Sequence, residues 1–201
     1  MSGRFIVLEG GDGAGKSTQR ELLVEWLHAE GVEVVQTHEP GATTLGAALR
    51  ALLLDGDAID ARAEALLMAA DRAQHVAEVV RPALERGAWV VSDRHAASSL
   101  VYQGVVRGLG VDAVAGLSEF ATDGLVPDLV IVLDVDDAAA ESRRSPGADR
   151  MEREGATFHA AVRGAYRDLA ARFGWAMVNG SGDPEAVAAR VFETVLPLLK
   201  T

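Results

Sequence analysis

Short apolar runs alternate along this 201-residue chain with longer segments of helical periodicity. Residues 4–9, built on Phe5-Ile6-Val7-Leu8, read as a buried strand, and residues 18–30 as a helix ended by Gly31. A second strand is expected over 32–37, running into His38-Glu39-Pro40-Gly41, where proline and glycine interrupt regular structure. Helices are expected at 45–54 and, after a polar turn over 55–60, at 61–86. The second is long and amphipathic, with Leu66, Leu67, Ala70, Val76 and Val80 along its stripe and Pro82 placed to kink its last turn. Strand three covers 89–92 and ends on Asp93-Arg94-His95. A helix from near Ser98, a glycine-rich segment (Gly104, Gly108, Gly110) and a helix over 111–121 lead to strand four at 129–134. A short helix from Asp136 reaches Arg143-Arg144, where Ser145-Pro146-Gly147 breaks it. A helix over 151–173, a fifth strand over 175–178 and a last helix over 184–199, with Pro184 in its first turn, complete the pattern.

Strands of four to six residues alternating with helices predict an α/β fold, with a parallel sheet covered on both faces. No repeat, low-complexity tract or linker divides the chain, so one domain over 1–201 is expected. In such sheets ligands bind at the C-terminal ends of the strands. The polar clusters fall there: the loop from Gly10, Glu39-Pro40-Gly41, Asp93-Arg94, and Asn179-Gly180-Ser181.

The sharpest signal is Gly10-Gly11-Asp12-Gly13-Ala14-Gly15-Lys16-Ser17-Thr18, between the first strand and the first helix. This is the order a phosphate-binding loop needs. Its glycines let backbone N–H groups turn inward, and the helix N-terminus adds partial positive charge. Lys16 can reach the β/γ-phosphates of a nucleoside triphosphate, and the Ser17 hydroxyl is placed to ligate Mg²⁺.

Composition narrows the partners. The net charge is −11, against the basic footprint that nucleic acid requires. There are no cysteines, hence no disulfide framework or thiolate metal site. No apolar stretch is long enough for a membrane span, and the chain runs directly into its first strand, so a cytoplasmic protein is expected.

Asp93 ends an apolar strand, a position suited to organising Mg²⁺ or its waters, and Arg94 beside it can grip a phosphate bidentately. Asp134, after Ile131-Val132-Leu133, competes for the acidic role; Asp93 is preferred because an arginine and Ser98-Ser99 follow it. Arg143 and Arg144, with Arg150 and Arg153 beyond the Ser-Pro-Gly break, read either as a flap that delivers positive charge to a transferring phosphoryl group or as a solvated turn paired with neighbouring acids. The five histidines show no metal-ligand spacing.

Taken together, the segments FIVLEGGDGAGKST (5–18), Glu39-Pro40-Gly41, Leu49-Arg50, LLMAADR (66–72), DRHAASSLVYQG (93–104) and 149–152 resemble those of the bacterial thymidylate kinases, in order and spacing, nearly end to end. The resemblance implies a five-stranded P-loop kinase fold, phosphoryl transfer from ATP·Mg²⁺ to dTMP, and a homodimer. It implies that Asp12 holds the deoxyribose 3′-hydroxyl with Glu39 nearby, and that Arg50 and Arg94 grip the acceptor phosphate. Arg72 would bond the thymine carbonyl, Ser98 and Ser99 would line the base pocket, Gln103 would close over it, and Tyr102 would crowd C2′. Relatives divide by whether the phosphate loop or a lid carries their catalytic arginine; because Gly13 and Ala14 offer no basic side chain, the resemblance implies a lid at about 141–153 that supplies it through Arg143 or Arg144. Met68 stands where many relatives stack a phenylalanine on the base, and His38 where many carry arginine. Two alternatives stay open at this level: another nucleoside or nucleotide kinase of the same fold, and a nucleotide-binding protein without phosphotransfer.

Overall fold

Phe5–Glu9 (β1) is buried along its whole length, and the sheet grows outward from it on both sides. The computed structural model describes residues 3–143, 150–151 and 153–200. Five strands lie in the order β2-β3-β1-β4-β5: Val34–His38 (β2), Trp89–Asp93 (β3), Leu129–Asp134 (β4) and Ala176–Asn179 (β5) join β1, and every pairing is parallel. The chain leaves β1 toward β2 and leaves β3 toward β4. The crevice between β1 and β3 is therefore the switch point where such sheets bind ligands.

Alternation along β1 explains why both faces are covered. Ile6 and Leu8 pack into a core with Leu23 and Leu27 of Lys16–Ala29 (α1) and Val187, Val191 and Val195 of Pro184–Leu199 (α9). Phe5 and Val7 face the opposite way, onto Val80 and Ala83. A third cluster joins Leu53 and Leu54 to Val101, Tyr102, Val162 and Tyr166, and it forms the wall behind the cleft. Each fully buried aliphatic side chain is worth roughly 1.5–3 kcal/mol, so a strand with apolar residues on both faces needs helices covering both faces of its sheet.

The remaining helices are Thr44–Leu54 (α2), Ala61–His75 (α3), Arg81–Glu85 (α4), Ala96–Ser99 (α5), Val111–Thr122 (α6), Asp137–Ser142 (α7) and Ala156–Phe173 (α8). Three differ from the sequence expectation. The helix expected over 61–86 runs on without a break in helical structure but widens to a π-helical turn at Val76–Val80, where the Arg81 N–H bonds Val76 O. That wider turn precedes Pro82, which has no N–H to give, so the chain passes the proline without ending. The helix near Ser98 begins at Ala96 and continues as a second π-helical turn, Leu100–Val106, which absorbs Gly104. The helix expected from residue 151 starts at Ala156, because Met151 is drawn into the third cluster instead.

Candidate functional site

Two adjoining clefts open at the C-terminal end of the sheet. The first is lined by Gly13, Gly15, Lys16, Ser17 and Thr18 together with Arg20, His38, Asp93 and Arg143. Gly10, Gly11 and Ala14 are buried beneath it. Lys16 donates to Gly11 O at 2.9 Å, and its ammonium is pushed down from its ordinary pKa by burial and then by Arg94, against the pull of Asp93 and Asp12. An anion in this cleft would restore the balance that burial removes. Gly13 is held at φ +79°, and a Cβ there would lie 2.3 Å from Ala140 O. The loop therefore meets α7 backbone to backbone, and no side chain fits between them.

Ser17 Oγ donates to Asp93 Oδ2 at 2.9 Å, while Asp93 Oδ1 is buried with no partner among the described residues. An orphaned carboxylate oxygen beside a loop hydroxyl fits a hard divalent cation, bound directly or through water. The competing acid is accounted for otherwise: both oxygens of Asp134 are taken by Arg167, at 2.9–3.1 Å.

The second cleft is walled by all ten residues expected to hold the acceptor: Asp12, Glu39, Arg50, Met68, Arg72, Arg94, Ser98, Ser99, Tyr102 and Gln103. Pro40, Leu54, His95 and Met151 complete the wall. Asp12, Glu39, Arg50 and Arg94 line both clefts and so mark the seam between them.

Arg94 reaches that seam because its backbone turns into the left-handed region, φ +69°, a strain of about 1–3 kcal/mol for a non-glycine residue. Its guanidinium is fixed from several sides, by Asp12, Gly10 O (3.2 Å), Ser98 Oγ (3.1 Å) and Tyr166 Oη (3.2 Å), with the Tyr102 ring 5.3 Å away. Burial raises the Asp12 carboxyl, but the charges of Arg94 and then Lys16 outweigh it and hold it below its ordinary value. Arg50 lies across the seam with Nη1 donating to Pro40 O at 2.9 Å. Burial and the nearby Arg50 and Arg20 lower the His38 pKa, so its imidazole adds little charge near neutral pH.

Behind the wall is a buried group the sequence pattern did not single out, and beside it one that it did. Glu9, at the end of β1, accepts from His95 N–H (2.9 Å), Ser98 N–H (3.1 Å), Ser98 Oγ (2.6 Å) and Tyr166 Oη (2.8 Å). An acid directly after four apolar strand residues was the visible signal, but its partners lie 86–157 residues away. Glu39 proves to be a hub rather than an open ligand. Oε1 accepts from the Nδ1 atoms of His75 (2.8 Å) and His95 (2.7 Å), and Oε2 accepts from Arg72 Nε (3.0 Å). Burial opposes its charge, but His95, Arg72 and the imidazole hydrogen bonds hold its carboxyl well below the usual range. Three potential metal ligands meet here, yet a guanidinium sits on the same carboxylate and both Nδ1 atoms point hydrogens at it, which suits a hydrogen-bonded ion cluster and not a cation.

Arg72 has five N–H groups, of which four are used: by Glu39, Ser118 Oγ (3.3 Å), His95 O (3.2 Å) and Ser99 Oγ (3.0 Å). One N–H, on Nη1, is left without a partner among the described residues, on a side chain that lines the cleft. Of the two lid arginines, Arg143 stands at the first cleft, Nη1 donating to Gly180 O (3.2 Å) and Nη2 to Gly182 O (3.4 Å). Arg144 lies outside the described residues.

The thymidylate kinase family model matches residues 8–191. The chain is 52% identical over 197 residues to a thymidylate kinase of Leifsonia xyli subsp. xyli, covering 94% of this chain and 92% of that protein. It is 51% identical over 200 residues to one from Clavibacter sepedonicus (95% and 93% covered), and 45% identical over 207 residues to one from Rhizorhabdus wittichii (99% and 100% covered).

Proposed function

We propose that this chain, which belongs to the thymidylate kinase family, performs its reaction at the seam between its two clefts. It is an ATP-dependent phosphotransferase that phosphorylates dTMP in nucleotide biosynthesis. The observation that carries the assignment of roles is the sharing of Asp12, Arg50 and Arg94 by both clefts, which puts fixed positive charge where a donor and an acceptor phosphate must meet.

ATP occupies the first cleft, with Lys16 and the loop N–H groups on its phosphates and the Asn179–Gly182 loop beside its base. Arg50 and Arg94 hold the dTMP phosphate, Asp12 the 3′-hydroxyl, and the free N–H of Arg72 a thymine carbonyl. Ser98, Ser99, Met68, Tyr102 and Gln103 enclose base and sugar. The acceptor phosphate is already anionic at neutral pH, so no general base is needed; alignment and charge neutralisation suffice. Arg143 supplies the neutralising charge that Gly13 and Ala14 cannot. Ser17 and Asp93 hold Mg²⁺, which neutralises charge on the donor phosphates when bound.

The protein works in the cytoplasm as a homodimer. Leu66 on α3 and Phe120 on α6, 59% and 87% exposed on helices that pack together, support the dimer. Among the described residues no helix is long and apolar enough to cross a membrane. A coupled ADP-release assay across dTMP, dUMP, dCMP, AMP and thymidine tests the function. Turnover should require a monophosphate and favour dTMP. Equal turnover of thymidine would refute the phosphate grip, and ATP binding without dTMP-dependent ADP release would refute the kinase. Light scattering should give twice the chain mass of 21.1 kDa.

A further inference from the structure

The wall of the acceptor cleft contains an amide whose orientation is dictated from behind. Glu64, in the first turn of α3, is fully buried. Its Oε1 accepts from Gln103 Nε2 at 2.8 Å, and its Oε2 accepts from Arg150 Nη2 at 2.6 Å. Arg107 Nε lies 3.5 Å from Oε1. A carboxylate paired with guanidinia only accepts hydrogen bonds, so the Gln103 amide must turn its NH₂ toward Glu64. Its Oε1 is then the atom left to the cleft that Gln103 lines.

Arg150 is itself pinned. Its Nε donates to Leu53 O and its backbone N–H to Leu54 O, both at 2.9 Å, satisfying carbonyls at the C-terminal end of α2 where a cation is favoured. The carboxylate is thus locked in place by groups outside the cleft.

We propose that Glu64 is a specificity-determining positioning residue: by fixing the polarity of the Gln103 amide it makes the cleft accept an imide base and reject an aminopyrimidine. This rests on the reading of the second cleft as the dTMP site. Arg72 offers the cleft a donor and Gln103 an acceptor. A thymine or uracil edge presents a carbonyl next to an N–H and complements that pair. A cytosine edge presents an amino group next to a bare ring nitrogen and opposes it at both positions. Glu64 touches no substrate; it acts only through Gln103.

The test compares kcat/KM for dTMP and dCMP in the unsubstituted protein and in Glu64→Gln, which can offer either an oxygen or an NH₂ to Gln103 and so frees it to flip. The dTMP-to-dCMP ratio should fall roughly tenfold to a hundredfold, the range set by mispairing one buried polar group. In a Gln103→Met background, Glu64→Gln should leave the ratio unchanged, because the group it acts through is gone. A ratio that stays constant while both activities fall together would overturn the proposal, as would additive effects of the two substitutions. If Glu64→Gln is insoluble, the paired variant Glu64→Gln, Arg150→Gln removes both members of the buried pair and is read by the same ratio. Failure of the unsubstituted protein to phosphorylate dTMP would instead overturn the reading of the cleft, so the two failures are distinct.

Discussion

Replacing Glu9 by glutamine removes one charge and no volume, and the structure says what must rearrange. Oε1 of Glu9 takes two backbone N–H groups, from His95 and Ser98, which can only donate. The glutamine carbonyl must stay with them, and its NH₂ must face Ser98 Oγ and Tyr166 Oη, which donate to Oε2 in the native protein. Both hydroxyls must reverse. Both also accept from Arg94 Nη1, at 3.1 and 3.2 Å, and they lie 3.0 Å from each other, so one hydrogen can turn onto the other hydroxyl and the second swings toward a cation. Two charge-assisted hydrogen bonds become neutral ones and two others lose their charge, a loss of about 2–3 kcal/mol. For a chain of this size that is roughly 5–10 °C in Tm. Arg94 loses the lone pairs that aim it across the seam, so kcat/KM for dTMP should fall roughly tenfold while KM for ATP moves little. Calorimetry and initial rates check both. A Tm within a degree of the parent, or equal effects on dTMP and ATP, would refute the reasoning that Glu9 aims Arg94 through two hydroxyls.

Four further outcomes are expected. Arg143→Ala should lower kcat by roughly 10³-fold or more with little change in ATP binding, as for arginine fingers generally; a near-normal kcat in steady-state assays would assign the charge elsewhere. Gly13→Ala forces a Cβ to 2.3 Å from Ala140 O at a positive φ, so it should raise KM for ATP and lower thermal stability, both measurable on the purified variant. Met68→Phe should lower KM for dTMP, because a ring can stack on the base where a thioether cannot; an unchanged or raised KM would remove Met68 from the base wall. Glu39→Gln should be less stable than the parent at neutral pH. The native Glu39 pKa is depressed, so the unfolded chain binds the proton first as pH falls. The gap should then narrow below about pH 4.5, toward the native pKa, in denaturation midpoints taken across that range.

What could be read from the sequence was local or periodic. The loop from Gly10 to Thr18 is contiguous, so its chemistry is legible without a fold. The strands are legible because both-face burial demands runs such as Phe5–Leu8, and Asp93 because it ends one. That ten particular residues belong together was legible only once segments 5–104 were matched as a set to a known family, and the fold brings those ten around one cleft. Even so, helix ends and helix type were misjudged where the fold overrode pattern: Met151 leaves its expected helix to wall the cleft, and the chain widens its helical turn before Pro82.

Tertiary structure alone decided which buried charges hold those residues still. Glu9 and Glu64 look alike in sequence, single acids beside apolar or small residues, and Glu39 stands between a histidine and a proline. Each acquires its meaning from partners far along the chain: Tyr166 at 157 residues from Glu9, His95 at 56 from Glu39, Arg150 at 86 from Glu64. Periodicity records which face of an element is apolar; it carries nothing about which distant donor meets a carboxylate once water is excluded. Only the folded packing makes an unpaired charge costly enough to fix that geometry, and only there can a buried acid determine how Arg94, Arg72 and Gln103 present themselves.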